Sequence, residues 1–335
     1  MKTPFWRTTG IVAYDLFRLL CHGVILMILA GFLGAFFPLG DSLAVFRIEL
    51  TGLLAGLAVI ALILRRSFIP PAAVITIIIS AGSILPFRAV ERPEIFAEEP
   101  PQLTLHQHNL LYGNRDHPGF LAYVRAYGPD MLTLQEFDGR NVELVDELRK
   151  THPKYHVCLY DTGGVGVFAR GMRKIASGCK ADAKLAWMEV ETAAGPVMLV
   201  SIHLFWPFPM PQFWQVPAYT SALEDLAARG APVILGGDFN MVPWGASVQQ
   251  IASAIDGRIS RGLEPTFHWQ GRAPTFRIDH VIAPTSATMA VRRLPKLGSD
   301  HNGLWADIRM DRGAIAEPEP GETDGIGVVS RLDER

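Results

Sequence analysis

The chain has 335 residues, 31 of them basic and 33 acidic, for a formal net charge of -2, and its isoelectric point lies near 6.6. That balance excludes a protein coated with nucleic acid over its whole surface, though not one with a local basic groove. Mean hydropathy is +0.20, high for a soluble enzyme, and the apolar excess lies in the first quarter of a chain long enough for one large domain with an appendage or for two domains.

Three apolar runs come first. Residues 19–39 are almost uncharged and, at ~1.5 Å per residue, just long enough to cross a bilayer core. Residues 50–64 are short alone and span only by recruiting 43–48 past Arg47. Residues 68–87 carry Pro70 and Pro71 near their start, where a missing amide donor does least damage. The pattern predicts an α-helical transmembrane region over residues 1–88, with helices at 19–39, 43–64 and 68–87. A buried hairpin of a soluble core, or a cleaved signal peptide, is the alternative. Three successive runs with no polar face and no small-residue cleavage site weigh against it.

Lys2, Arg7 and Arg18 flank the first run, Arg65 and Arg66 separate the second from the third, and the short loop between the first two carries Asp41. Positive residues stay cytoplasmic, so the N-terminus and Arg65-Arg66 are expected inside and everything after Phe87 outside. In a bacterium this is a multi-pass inner-membrane protein whose main domain is periplasmic. With only two spans, that domain would face the cytoplasm. Cys21 lies in the first run as a small apolar residue. Cys158 and Cys179 fall on what look like neighbouring strands and could pair in an oxidising compartment, but two free buried thiols are the expectation here, because spacing supplies no disulfide geometry.

Residues 89–102, with Glu91, Pro93, Glu94, Glu98, Glu99, Pro100 and Pro101, form a charged, proline-bearing linker. A folded domain is expected over 103–310. Its elements are a strand ending in Asn109, a helix over 118–127 stopped by Gly128-Pro129, a strand over 131–136 ending in Glu136, and a helix over 142–150. Strands follow at 155–160, 165–170, 185–191 and 197–203, the last ending in His203. A helix over 216–229 leads to the apolar strand Pro232-Val233-Ile234-Leu235-Gly236-Gly237, which turns into Asp238-Phe239-Asn240. Then come a helix over 247–255, strands at 276–282, 289–294 and 304–309, and a glycine-, proline- and acid-rich tail over 311–335 expected to be disordered. Alternating strands and helices early, with paired strands later, predict an α/β fold: a four-layer sandwich of two mixed sheets face to face with outer helices.

The polar residues at strand ends are Asn109, Glu136, His203, Asp238, Asn240, Asp279, Asp300 and His301. In α/β folds ligands gather where strands end. Asn109, Glu136 and Asp300 can hold a hard divalent ion, Mg²⁺ or else Mn²⁺. His301 with Asp279 is a base oriented by a carboxylate, and Asp238 is an alternative or coupled base. His203 and Asn240 are placed to donate to phosphate oxygens or to protonate a leaving oxygen. His280 is expected to be structural, and His106 and His108, two apart with no cysteine partner, argue poorly for zinc.

The pieces Gln107-His108-Asn109-Leu110, Leu134-Gln135-Glu136, Gly163-Gly164-Val165-Gly166-Val167, Ser201-Ile202-His203-Leu204, Gly237-Asp238-Phe239-Asn240, Arg277-Ile278-Asp279-His280 and Ser299-Asp300-His301 occur in an order and spacing that resembles the endonuclease/exonuclease/phosphatase superfamily. The resemblance covers about 103–309. It implies a two-sheet α/β sandwich and Mg²⁺-dependent phosphoester hydrolysis by in-line attack of water. It also implies Glu136 with Asn109 as the metal site, Asp238 and Asn240 as the phosphate and nucleophile site, and Asp279 with His301 as the acid-base couple. Histidine at 203 is similar to the deoxyribonuclease I and sphingomyelinase branch. Leu110-Leu111 after Asn109 departs from abasic-site enzymes, which carry an acidic residue there.

The substrate is less constrained. Basic and acidic residues nearly balance over 103–309, which gives no broad footprint for DNA. After His203 comes the aromatic stretch Phe205-Trp206-Pro207-Phe208-Pro209-Met210-Pro211-Gln212-Phe213-Trp214, with Trp206 the expected substrate contact. It could anchor in a lipid headgroup layer, pack on the protein's own core, or stack unpaired bases. A membrane-anchored phosphodiesterase acting on lipid or other small phosphodiesters is favoured, with a lipid bilayer as partner and no protein partner inferable. A tethered nuclease is the alternative and predicts a basic groove around Arg115, Arg140, Lys184, Arg272 and Arg277. A non-catalytic membrane scaffold comes last.

Overall fold

The computed structural model describes residues 5–63, 71–89, 93–114, 116–137, 142–160, 163–268 and 275–310. Lys2, the Arg65-Arg66 turn, Arg115, Arg140, Arg272 and the tail over 311–335 lie outside the described residues.

The sandwich is built in the order β1 (Leu103–Asn109), α5 (His117–Tyr127), β2 (Met131–Phe137), α6 (Val142–Thr151), β3 (Lys154–Cys158), β4 (Gly164–Ala169), β5 (Arg173–Lys180), β6 (Leu185–Thr192), β7 (Gly195–His203), α7 (Gln212–Ala227), β8 (Val233–Asp238), α8 (Ala246–Ser253), β9 (Gly257–Ile259), β10 (Phe267–His268), β11 (Thr275–Phe276), β12 (Asp279–Pro284), β13 (Ala287–Arg293) and β14 (Leu304–Met310); α1 to α4 precede it. One sheet has the order β13-β14-β1-β2-β4-β3 and the other β5-β6-β7-β8-β12-β9, with β10 and β11 a separate hairpin. The pairs β1–β2 and β7–β8 are parallel and the other ladders antiparallel, so both sheets are mixed. The expected two-sheet sandwich with outer helices is the architecture observed.

Period-two alternation explains the layers. Leu105, Met131, Val165, Val167, Leu199, Ile234 and Val281 point between the sheets and form the central core. Leu132, Leu134 and Phe168 point out under Phe120, Val124 and Leu148 of α5 and α6. Val200, Ile202, Val233 and Leu235 point out under Val216, Leu223, Val248 and Ile251 of α7 and α8.

Strand β5, which carries Cys179, has no bounds legible in the sequence, because it is a polar edge strand whose first three residues are exposed. Helix α7 starts at Gln212, so Phe213 and Trp214 belong to its first turn and the aromatic loop ends at Pro211. The expectation of two free thiols is corrected: Cys158 and Cys179 form a disulfide with a Cα–Cα distance of 5.8 Å. It joins β3 to β5, the edge strands on one flank of the two sheets.

The apolar quarter forms α1 (Phe5–Ala30), α2 (Pro38–Val45), α3 (Arg47–Ile63) and α4 (Pro71–Ile84), the last extended by a 3₁₀ turn, Leu85–Phe87. The first expected helix thus ends at Ala30 rather than 39. The second is divided at Phe46 by a bend of 66°. Helices α1, α3 and α4 pack around Val24, Ile28, Leu54, Leu57 and Ala73. Arg47, which interrupts the second run, is turned inward. Its guanidinium donates to Gly31 O at 2.7 Å and to Ser83 Oγ at 3.2 Å and lies 3.9 Å from the Phe32 ring centre.

This bundle is docked on the sandwich. The Asp41 carboxylate accepts from Ala246 N (2.7 Å) and Ser247 N (2.9 Å), capping α8 from another element. Trp244 Nε1 donates to Ala44 O at 2.8 Å, and Gly262 N donates to Phe87 O at 2.8 Å. Ala44 and Val45 are buried in the same apolar cluster as α7 and α8.

Candidate active site

The inward registers of the strands change character along the sandwich. Above Leu105, Leu199, Ile234 and Val281 come Gln107, Thr133, Gln135, Ser201 and Gly236, and above those the site residues. In the second sheet His203 pairs with Asp238 and Asp238 with Asp279, so three titratable side chains stand in one row across adjacent strands.

Glu136 reaches the site through a defect. Strict alternation would send residue 136 out with Leu132 and Leu134, but the β2–β4 register shifts between Gln135 and Phe137. Phe137 instead joins the outer core, and Glu136, at φ +61°, turns towards Asn109. A bulge that re-aims one side chain accounts for this. Asn240 is also left-handed, at φ +49°, a conformation asparagine tolerates better than most residues. Non-glycine backbone held there costs ~1–3 kcal/mol each and clusters at functional sites.

The contacts converge. Asn109 Nδ2 donates to Glu136 Oε1 and to Asp238 Oδ2, each at 2.9 Å, and Tyr112 N donates to Glu136 Oε2 at 2.8 Å. Asn240 N donates to Asp238 Oδ1 at 2.8 Å, and its side-chain amide donates to Leu204 O at 2.7 Å and lies 3.4 Å from His203 Nε2. His203 Nε2 stands 3.6 Å from Asp238 Oδ2 and 3.9 Å from Glu136 Oε1. His301 Nδ1 bonds Asp279 Oδ2 at 2.8 Å, leaving Nε2 3.7 Å from Asp238 Oδ2 and 4.0 Å from Asp300 Oδ1. All the expected residues except Trp206 therefore meet in one cleft, with Asp300 at its rim. Trp206 is half-buried with its ring 5.4 Å from Phe267, which separates it from His301.

Burial governs the titrations. It pushes the Asp238 carboxyl up, to about 8, against the opposing pull of His301. Burial also disfavours charge on His301, but Asp279 and Asp238 override it and raise the imidazole to about 10. Burial would raise Asp279, yet the His301 charge and the hydrogen bonds from His301, Thr266 and Gln107 hold it low. His203 is pushed down to about 4 by burial and by the His301 charge. Glu136 is raised by burial despite bonds from Asn109 and Tyr112. Two carboxyls that burial holds above their ordinary range, next to an amide, are a set of hard oxygen donors that a divalent cation would return to the ionised form. Glu136, His203 and Asp238 each offer an atom within 4.8 Å of the others, and the residues present fit such an ion.

Beneath the site runs a polar chain to which no role was given from sequence. Gln107 Nε2 donates to Asp279 Oδ1 (3.1 Å) and to Gln135 Oε1 (2.9 Å); Gln135 Nε2 donates to Ser201 Oγ (3.0 Å), and Ser201 Oγ to Leu134 O (3.1 Å). Gln107 and Ser201 sit two positions before Asn109 and His203, on the same strand faces, and that spacing was the available signal. His280 bonds Met241 O at 2.8 Å behind the site, and His106 and His108 lie together under α5 against Phe120. Of the expected basic groove, Arg277 is buried and bonds Ser260 Oγ at 3.1 Å, so it cannot line one. Lys184 lies 4.4 Å over the Phe205 ring and beside His203.

Among solved structures, the fold is similar to the human nocturnin catalytic domain with bound sulfate, at 18% identity over 67% of this chain and 97% of that one, TM-score 0.52. It is similar also to an endonuclease/exonuclease/phosphatase family protein from Bacteroides thetaiotaomicron, at 18% identity over 64% and 99%, TM-score 0.51. A functionally unknown conserved protein from Enterococcus faecalis V583 matches at 14% identity over 62% and 100%, TM-score 0.52. At these identities the likeness is one of fold. No curated protein matches the sequence. The model of the Endonuclease/Exonuclease/phosphatase family matches residues 106–301, more than half of the sequence and the whole of the cleft just described, and the chain belongs to that family of metal-dependent phosphoester hydrolases.

Proposed function

We propose that the protein is a membrane-anchored phosphodiesterase that uses Mg²⁺, or Mn²⁺ in its place, and acts on lipid or other small phosphodiesters. The observation that carries the catalytic part is the row His203, Asp238, Asp279 closed by the 2.8 Å bond from His301 Nδ1 to Asp279 Oδ2. Asp279 fixes the imidazole through Nδ1 so that Nε2 faces the cleft. Asp238, raised by burial, is the group suited to take a proton from water as its oxygen bonds to phosphorus. The bond from phosphorus to the leaving oxygen breaks, and His301, held protonated by Asp279 and Asp238, supplies the proton for the departing alcohol. The Asn240 amide, close to His203, can donate to a non-bridging oxygen. Glu136 with Asn109 and Asp238 would hold a divalent cation, which would supply charge neutralisation at the phosphoryl group.

Anchoring is supported by the surface of the helical bundle. Leu19, Leu26, Leu62, Ile63 and Ile78 are exposed on it, and an apolar exterior of this extent calls for an apolar solvent. Among the described residues only the 18 residues Ala13–Ala30 are long and apolar enough alone, while α2 with α3 pass as a bent pair and Pro71–Phe87 is shorter. The bundle meets the sandwich through Asp41 and Ala44, between α1 and α3, and through Phe87, after α4, so three spans would set the sandwich across the membrane from the Ile63 and Pro71 ends of α3 and α4. A Cys158–Cys179 bridge suits the oxidising side. Purified full-length protein with Mg²⁺, given phospholipid vesicles and supercoiled plasmid in parallel with Asp238→Ala as blank, tests the reading. Headgroup release that vanishes in the variant supports it, and plasmid nicking alone replaces it with a tethered nuclease.

A further inference from the structure

We infer that the groove between α2 and the loop after β7 is an alkyl-chain subsite of the catalytic cleft, which makes the substrate a phosphoester with at least one long alkyl or acyl chain. The inference rests on the phosphodiesterase reading above and adds to it a place where the chain binds. The groove has a volume of about 230 Å³ and is lined by Val45 and Phe46 on one side, Trp206, Phe208 and Met210 on the other, and Phe276 at its base. It is held in shape. Ser42 Oγ donates to Phe208 O at 2.9 Å, tying the two walls, and Phe46 meets Phe276 edge-on at 5.9 Å. Phe46, Phe208 and Met210 are 45%, 43% and 44% exposed, so an apolar lip stands open to solvent.

Its two ends identify the occupant. At the inner end Trp206 packs on Phe267 at 5.4 Å, and Phe267 packs on His301 at 5.0 Å, so one aromatic ring separates the groove from the acid-base couple. At the outer end Phe46 is the break between α2 and α3, where the apolar bundle begins and Ile48 and Leu53 are exposed. A chain lying along α3 would pass Phe46 into the groove while its phosphate lay against His301 and Asp238. A nucleobase is served worse. The Ser42 hydroxyl is already committed to Phe208 O, and a base edge buried without hydrogen-bond partners is costly.

The test is a series of p-nitrophenyl alkyl phosphodiesters from methyl to octyl, hydrolysed by full-length protein in detergent with Mg²⁺. Burial of each methylene at the transition state should raise kcat/KM about fourfold until the groove is filled. Met210→Asp, at the open lip where the carboxylate can stay hydrated, should flatten that dependence, and Phe46→Ser should do so from the opposite wall. Each slope is a ratio within one protein, so a variant that folds only in part still reports. A flat series in the wild type overturns the subsite and leaves the phosphodiesterase reading standing. Equal slopes in all three proteins also overturn it, since that is partitioning into detergent. Release that does not depend on Asp238 for any member removes the reading and the subsite together.

Discussion

Replacing Asp238 by asparagine should abolish hydrolysis and stabilise the fold. Asp238 is 1% exposed and its carboxyl is raised from 3.8 to about 8, chiefly by burial. An acid whose folded pKa is raised disfavours the native state above its unfolded value, by about 1.4 kcal/mol per pH unit until the folded pKa is reached. The penalty is thus on the order of 4 kcal/mol at pH 7 and on the order of 1 kcal/mol at pH 5. Asparagine removes it but presents an amide to Asn109 Nδ2, losing that 2.9 Å bond and leaving a buried donor unpaired. That loss is worth ~2 kcal/mol. The net gain is then ~2 kcal/mol at pH 7, rising towards pH 8 and absent at pH 5. In a domain of this size that is roughly 4–8 °C in Tm. Thermal unfolding of full-length protein in detergent with a chelator, wild type against Asp238→Asn at pH 5, 7 and 8, reads it directly. Added Mg²⁺ should raise Tm in the wild type more than in the variant. A variant less stable than wild type at pH 8, or a gain that does not change with pH, would refute the assignment of Asp238 as a carboxyl held against burial.

Three further outcomes are expected. His108 and His280 are fully buried and pushed down to about 4 and about 3, chiefly by burial, so their neutral forms stabilise the fold above pH 6.5 and that support is lost as pH falls through 4. Each contributes on the order of 3 kcal/mol, and His280→Asn should move the midpoint of acid unfolding to lower pH. Asp41→Ala leaves the amides of Ala246 and Ser247 without their acceptor; the cost is ~1–2 kcal/mol, read as a lower Tm with faster amide exchange in α8. Cys158→Ser with Cys179→Ser opens a closure of sequence separation 21, worth ~3 kcal/mol, and a reductant should lower the wild-type Tm but not that of the double variant.

Much of the site was legible because a polar residue ends each strand: Asn109 closes the alternating stretch from Thr104, His203 the apolar run Val197 to Ile202, and Asp238 follows Val233 to Leu235 and two glycines. Period two then fixes which of them share a face. What could not be read is what depends on a departure from that period or on distant partners. Glu136 enters the cleft only because of the bulge at Gln135 and Phe137. Asp41 resembles an ordinary loop acid until α8 is placed against it, 205 residues away. Trp206 stands beside His203 in sequence yet lies beyond Phe267 in space. Arg277 was read as surface charge, but the turn into β12 carries it inside, against Ser260.

The pairing of β1 with β14 has a consequence for biosynthesis. Leu103 lies opposite Ile308 and Gln107 opposite Leu304, so the earliest strand of the sandwich waits for the final one. Asp279 opens β12 and His301 lies in the connection just before β14, whereas Asn109, Glu136, His203 and Asp238 are synthesised well before them. A growing chain therefore carries Asn109, Glu136, His203 and Asp238 without Asp279 and His301, and the cleft closes only when the first sheet receives β14. Contacts of such long sequence separation form slowly. The two cysteines, by contrast, can meet as soon as β5 is made, fastening one flank of a sandwich whose other strands are still to come.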